Sequence, residues 1–291
     1  MNQRVQLAKY QARLERVLDH IQDHLDEPLD LNDLAEIACF SPFHFHRVYR
    51  AVMQETVTET VRRLRLHRAC GDLIANKLPI ADVATRAGYG SVEAFNRAFR
   101  KAYDMPPGEY RAKQIDQACP LKPYSSLKDD DMYNVTIGEV PSVRIAAIAH
   151  KGSYMGIGKA FEKVYIWAMS NGLTPGPDTR AIGVYYDDPE SVKESDLRSH
   201  AGFSISEDLD IGKTQNCDAI EMVDLKGGRA ATLEHVGPYA ELERAYNWFY
   251  RTWLMEQNYE LADLPPFEEY INDPKTIPPQ ELITKINVML K

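Results

Sequence analysis

Residues 33–56 read DLAEIACFSPFHFHRVYRAVMQET, and residues 82–106 read DVATRAGYGSVEAFNRAFRKAYDMP. The two stretches align at an offset of 49 residues, which becomes 50 after a one-residue gap before the serine. A segment that recurs in this way is one supersecondary unit used twice. Each copy reads as a short helix, a turn and a second helix, the layout of a helix-turn-helix motif. The turn of the second copy carries Gly88 and Gly90, with Ser91 as N-cap and Glu93 in the first helical turn; the first copy has Ser41 as cap and Pro42 at the first helical position. In the second helices Phe45, Val48, Tyr49 and Val52 fall at i, i+3, i+4 and i+7, as do Phe95, Ala98, Phe99 and Ala102, so each helix has one apolar stripe for a core.

The opposite edges carry the chemistry. Phe43, His46, Arg47 and Arg50 of the first copy occupy the places of Glu93, Asn96, Arg97 and Arg100 in the second. An arginine fork matches guanine O6 and N7, and asparagine can pair with adenine N6 and N7, so these types on one helical edge suit a helix laid in a major groove. A single basic amphipathic helix is commonly just a solvated face. Two copies, each after the same turn and each with the same outward edge, point to a DNA reader.

The charge supports this division. The net charge of the 291 residues is −9, but residues 1–113 hold 17 Lys+Arg against 15 Asp+Glu with five of the eight histidines, while residues 114–291 hold 17 against 28. Such asymmetry indicates two parts with different partners. Length fits two domains, and 44% hydrophobic with 26% charged residues excludes disorder and fibrous repeats. No apolar run approaches a membrane span, and the polar N-terminus has no h-region, so a cytoplasmic protein without membrane contact is expected. Cys39, Cys70, Cys119 and Cys217 show no CxxC spacing and read as reduced thiols, so neither a metal nor another cofactor is expected.

The first part resembles the AraC/XylS family of transcription activators over residues 8–113, in LDLNDLAEIACFSPFHFHRVYRAVMQETVTETVRRLRLHRA and in IADVATRAGYGSVEAFNRAFRKAYDMPPGEYR. The resemblance implies two helix-turn-helix subdomains joined by a long helix, here Val57 to Ala75, which holds both recognition helices on one face of DNA. It also implies that Phe43, His46, Arg47, Glu93, Asn96 and Arg97 lie where relatives contact bases. The expected partners are promoter DNA and RNA polymerase. Two motifs on one chain, with no coiled-coil heptads, predict a monomer.

Residues 114–131 contain two prolines, two serines and three consecutive aspartates and read as a linker between domains at 1–113 and 132–291. The second domain is also duplicated. HKGSY at 150–154 recurs as HVGPY at 235–239, and YYDDP at 185–189 as YINDP at 270–274, both at an offset of 85. Each copy reads strand, strand, aromatic amphipathic helix, strand, strand. This predicts an α+β (ββαββ)2 domain in which two like halves face each other.

This part is similar to the GyrI-like small-molecule-binding fold, most clearly in PPFEEYINDPKTIPPQELITKINVML, and its pairing with an AraC-type reader resembles the Rob-type regulators. The resemblance implies an aromatic-walled cleft with a buried glutamate that meets cationic or polar ligands. Along 267–271 alternation places Glu268 and Tyr270 on one face and Phe267, Glu269 and Ile271 on the other. Glu268 is therefore the expected site carboxylate, with Tyr270, its repeat counterpart Tyr185, and Trp253 lining the cleft; Glu269 is the fallback. Aromatic faces add cation-π attraction of roughly 0.5–2 kcal/mol.

Other readings stay open. Some relatives of the fold are hydrolases, and an acid in an apolar pocket can act as a base on water; alternatively, the acidic half is a protein-interaction module without ligand. His44-x-His46 is a poor metal pair, since residues two apart on a helix diverge by about 200°. GIGKA at 156–160 lacks the rest of a phosphate loop and reads as a helix start.

Overall fold

A computed structural model describes residues 2–113, 133–173, 178–206 and 208–291, with side chains from Tyr10 onward. The expected linker and Cys119 lie outside the described residues. The first part is helical: α1 (Asn2–Asp23), α2 (Leu31–Ile37), α3 (Pro42–Met53), α4 (Val57–Ala75), α5 (Ile80–Arg86), α6 (Val92–Tyr103) and α7 (Pro107–Lys113). The long connecting helix α4 has the expected bounds and is fixed at its start by a reciprocal cap, in which Thr56 Oγ1 accepts from the Glu59 N–H and the Glu59 carboxylate accepts from the Thr56 N–H. The two motifs repeat in detail. Cys39 (φ 53°) and Gly88 (φ 83°) take the same left-handed turn position, and Gln54 and Asp104 end α3 and α6 in the same αL conformation.

Two local expectations need correction. Ser91 Oγ accepts from the Ala94 N–H, but Ser41, although at the N-cap position of α3, makes no capping bond, and its hydroxyl is buried without a partner. The apolar stripe of α6 closes on Tyr103 rather than Ala102, which is exposed; Phe95, Phe99, Tyr103 and Tyr110 form a ring cluster under α4.

The second part is one antiparallel sheet of eight strands: β1 (Asn134–Val140), β2 (Val143–Lys151), β3 (Ala181–Tyr185), β4 (Arg198–Ser204), β5 (Glu221–Leu225), β6 (Gly228–Val236), β7 (Phe267–Tyr270) and β8 (Ile283–Met289). Their order is β1-β6-β8-β7-β3-β4-β2-β5. Shifting by 85 residues turns β2 into β6 and β4 into β8, and read in reverse the order maps onto itself, so a pseudo-twofold axis runs between β3 and β7. The halves therefore sit side by side in one sheet instead of facing each other. They are also interlocked, because β1 pairs with β6 and β5 with β2, each across to the other half.

The helices of the two repeats are α8 (Gly158–Ser170), which begins within GIGKA as expected, and α9 (Leu242–Trp248). The chain continues from α9 into a π-helical turn, Phe249–Trp253, and a last α-turn, Leu254–Glu256. Single π turns concentrate at functional positions. Here that turn carries Tyr250 against α3. Tyr10, Leu14 and Val17 of α1, Phe45 and Val48 of α3, and Trp248, Phe249, Tyr250 and Leu254 belong to one continuous core that crosses between the two parts. The core of the second helix-turn-helix, from Leu66 to Tyr110, is separate.

Candidate functional site

Glu268 lies on β7, beside the pseudo-twofold axis, in register with Gly183 on β3. Its side chain is buried, with 3% exposure. Alternation places Tyr270 on the same face, and its hydroxyl donates to Glu268 Oε2 at 2.7 Å. The Tyr185 hydroxyl is 2.6 Å from that of Tyr270. Because the Tyr270 O–H points at the carboxylate, its oxygen accepts in that second bond and Tyr185 is the donor, so the three groups form a hydrogen-bonded chain ending on Glu268. Gly183 makes room for it: a Cβ there would lie 2.9 Å from the Tyr185 ring and 3.1 Å from the Tyr270 hydroxyl.

The repeat builds the walls. Tyr154 stands edge-on to Tyr185 at 4.8 Å between ring centroids, and its counterpart Tyr239 stands edge-on to Tyr270 at 5.2 Å. Phe161 of α8 closes on Tyr270 from the other side at 5.4 Å. Burial in this cage raises the Glu268 carboxyl to about 7, against the pull of the tyrosine hydroxyls and of the Arg47 charge. Tyr185, Tyr246 and Tyr270 are driven well above their ordinary range, first by burial and next by the Glu268 charge, so they stay protonated as donors.

Glu268, Tyr270 and Tyr185 thus meet as the alternation and the 85-residue repeat predicted. Two other expectations for this cleft fare differently. Trp253 stacks on Phe249 at 4.9 Å and on Tyr259 at 6.0 Å and packs against the core shared with α1, away from the tyrosine cage. Glu269, on the opposite strand face, is held by both nitrogens of the Arg180 fork at 2.8 Å.

The helix α6 presents Glu93, Asn96, Arg97 and Arg100 to solvent, all exposed. The corresponding edge of α3 does not stand free. Arg47 is 7% exposed and lies over Tyr246 and Tyr250, 5.2 Å and 5.8 Å from their ring centroids. It donates from Nη2 to the Asp187 carbonyl at 2.8 Å and from Nη1 to the Phe43 carbonyl one turn back. Arg50 is 6% exposed, with Nη1 2.6 Å from Glu190 Oε2 and 3.4 Å from Asp188 Oδ1, and it also donates to Asn247 Oδ1. Phe43 and His46 are half-buried, Phe43 beside the Tyr186 ring. The edge read as free for DNA is therefore turned onto the second part, because its cations meet an acidic turn and an aromatic helix there.

His44 is fully buried and hydrogen-bonded through Nδ1 to the Tyr250 hydroxyl at 2.8 Å, and burial holds its imidazole down at about 3. Among the described residues no three metal-ligating side chains gather, and Cys39, Cys70 and Cys217 are free thiols. No helix of the described residues is long and apolar enough to cross a membrane. Sequence reasoning missed Asp187, Asp188, Glu190, Asn247 and Gly183. The YYDDP repeat marked the aspartates only as a turn, and nothing local says that the turn faces α3.

A double helix-turn-helix reader joined to a duplicated sheet with a caged carboxylate defines a two-part regulator, and comparison with known proteins agrees. Residues 133–291 match the GyrI-like small molecule binding domain, and residues 34–113 match a helix-turn-helix domain of the AraC type. The chain belongs to the GyrI-like family and is a DNA-binding transcription regulator of the AraC type. Over 102 residues it is 32% identical to the regulatory protein SoxS of Salmonella typhimurium (strain LT2), covering 35% of this chain and 95% of that one. Over 128 residues it is 28% identical to the right origin-binding protein of Escherichia coli (strain K12), covering 43% of this chain and 44% of that one, so the match spans under half of that relative. The crystal structure of the EcmrR C-terminal domain aligns at 21% identity and a TM-score of 0.47, over 55% of this chain and 99% of that one.

Proposed function

We propose that the second part senses an organic cation with aromatic character and that the first part conveys the signal to promoter DNA. The observation that carries this reading is the burial of Glu268 within a cage of tyrosines. A carboxylate in such a cage cannot be well hydrated, so it either keeps a proton or waits for a positive charge, and the ring faces attract that charge further. The regulator acts as a monomer beside RNA polymerase, since two recognition helices on one chain cover two successive major-groove segments. It binds its effector without turning it over.

The test is a titration of matched probes, benzyltrimethylammonium and the neutral isostere neopentylbenzene, against wild type and Glu268→Gln. The cation should bind wild type, and the substitution should weaken it tenfold or more while leaving the neutral probe unchanged. Equal losses for both probes, or no binding of either to wild type, would remove the assignment. Hydrolysis of a cationic aryl ester by wild type and not by the variant would make the cleft an enzyme site instead.

A further inference from the structure

A cation already stands beside the Glu268 cage, and it comes from α3, the second helix of the first helix-turn-helix. Arg47 lies over Tyr246 and Tyr250, its charge acts on Glu268 and on Tyr154, and the Asp187 carbonyl accepts a hydrogen bond from it. One turn further along α3, Arg50 is clamped by Glu190, Asp188 and Asn247, and on the adjoining side His44 is bonded to Tyr250. Arg47, bound by carbonyl oxygens over aromatic rings, and Arg50, bound by carboxylate and amide oxygens, have between them the kinds of contact that arginines make with bases and phosphates.

We propose that Arg47 is a tethered surrogate for the effector: it rests on the rings beside the Glu268 cage and so withholds α3 from DNA, and an aromatic cation that takes its place releases that helix. This rests on the reading of the pocket as a cation site and adds how occupancy reaches the DNA-binding part.

The consequences are those of two states and differential binding. In the closed state only α6 is free for a major groove, which gives one segment of contact instead of two. A ligand that binds only the open state raises DNA affinity, and DNA must raise ligand affinity by the same factor. Couplings of this kind are typically about 5–150-fold. No long pathway between sites is required, because the residue leaving the rings and the residue entering the groove are the same.

The test uses the full chain and a duplex selected by it from a random pool. Glu190→Ala and Asn247→Ala, made singly and together, loosen the Arg50 clamp and leave Glu268, the tyrosine cage and every residue of α3 unsubstituted. Without any ligand, the double variant should bind the duplex at least fivefold tighter than wild type. Arg47→Ala, measured at pH 8, should bind benzyltrimethylammonium at least fivefold tighter than wild type. In wild type the cation should tighten DNA binding, and in the double variant that enhancement should shrink.

Unchanged DNA affinity in the double variant would overturn the proposal, even if the cation binds at Glu268. So would a cation that binds wild type at Glu268 and leaves DNA affinity as it was. Tighter DNA binding by the double variant with no cation binding to any form would uphold the latch and remove the sensing role, so the two readings fail separately.

Discussion

Glu268 responds to pH in two opposite ways. Burial raises its folded-state value to about 7 from the ordinary carboxylate range, so the native protein holds this proton more tightly than the unfolded chain does. Its contribution to stability is therefore full below about pH 4.5 and is lost as pH rises to 7, while affinity for a cation rises over the upper part of the same window. Glu268→Gln should melt at the same temperature as wild type at pH 4.5 and at a higher one at pH 8, and its affinity for cations should no longer depend on pH between 6 and 8; melting curves and titrations at both ends check this. Gly183→Ala should cost about 1–3 kcal/mol by overpacking and should weaken cation binding, since its Cβ would push on both hydroxyls of the hydrogen-bonded chain; denaturant unfolding beside a ligand titration reads both. Glu268, Tyr270 and Tyr185 were legible in the sequence because strand alternation and an internal repeat are local patterns. Gly183 was not, because its importance lies in a register across the axis.

At the scale of single elements, α3 and α6 are near copies in sequence and differ in surroundings. Arg97→Ala on exposed α6 should lose about 1–3 kcal/mol at specific sites, much less on random duplex, and the loss should be the same with and without cation. Quantitative gel shifts with specific and random duplexes would show it, and equal losses on both would make Arg97 a phosphate contact. Thr56→Ala should cost ~0.5–2 kcal/mol through loss of the cap of α4, readable as a lower melting temperature with unchanged ligand affinity. The recognition helices were legible because caps and 3.6-residue periodicity are written locally, and α4 followed, to the residue, from the family resemblance. What α3 meets was not. Arg47 and Arg50 suit a DNA groove and an acidic turn equally well, since both offer oxygen acceptors to a planar cation, and the π turn that presents Tyr250 has no periodic signature.

For the whole molecule, the division at residue 113 describes the sequence better than it describes the cores. Residues 10–57 share buried contacts with α9, the π turn and β8, whereas α5 to α7 and the part of α4 from Leu66 onward enclose a core of their own. Sequence alone suggested that a linker would keep the cores of the two domains apart; the core shared by α1 to α3 with the sheet domain, and the Arg47 contact, show them joined. Native-state hydrogen exchange should show α1 to α3 opening together with the sheet domain and α5 to α7 opening as a separate, less protected unit. One common opening for the whole chain would contradict that. The swapped pairing of β1 and β5 also predicts that neither repeat of the sheet folds alone, which expression of residues 133–220 would test by circular dichroism.

The axis between β3 and β7 gives the duplication a further meaning. In a dimer of identical halves, whatever stands at position 268 would stand twice, on register partners whose Cα atoms are about 5 Å apart, and two carboxylates in one dry cage could not both be ionised. In one polypeptide that constraint is absent, and glycine stands at 183 opposite glutamate at 268. An organic cation bound there as proposed would meet a single negative end in nearly symmetric surroundings, and so would have one orientation available.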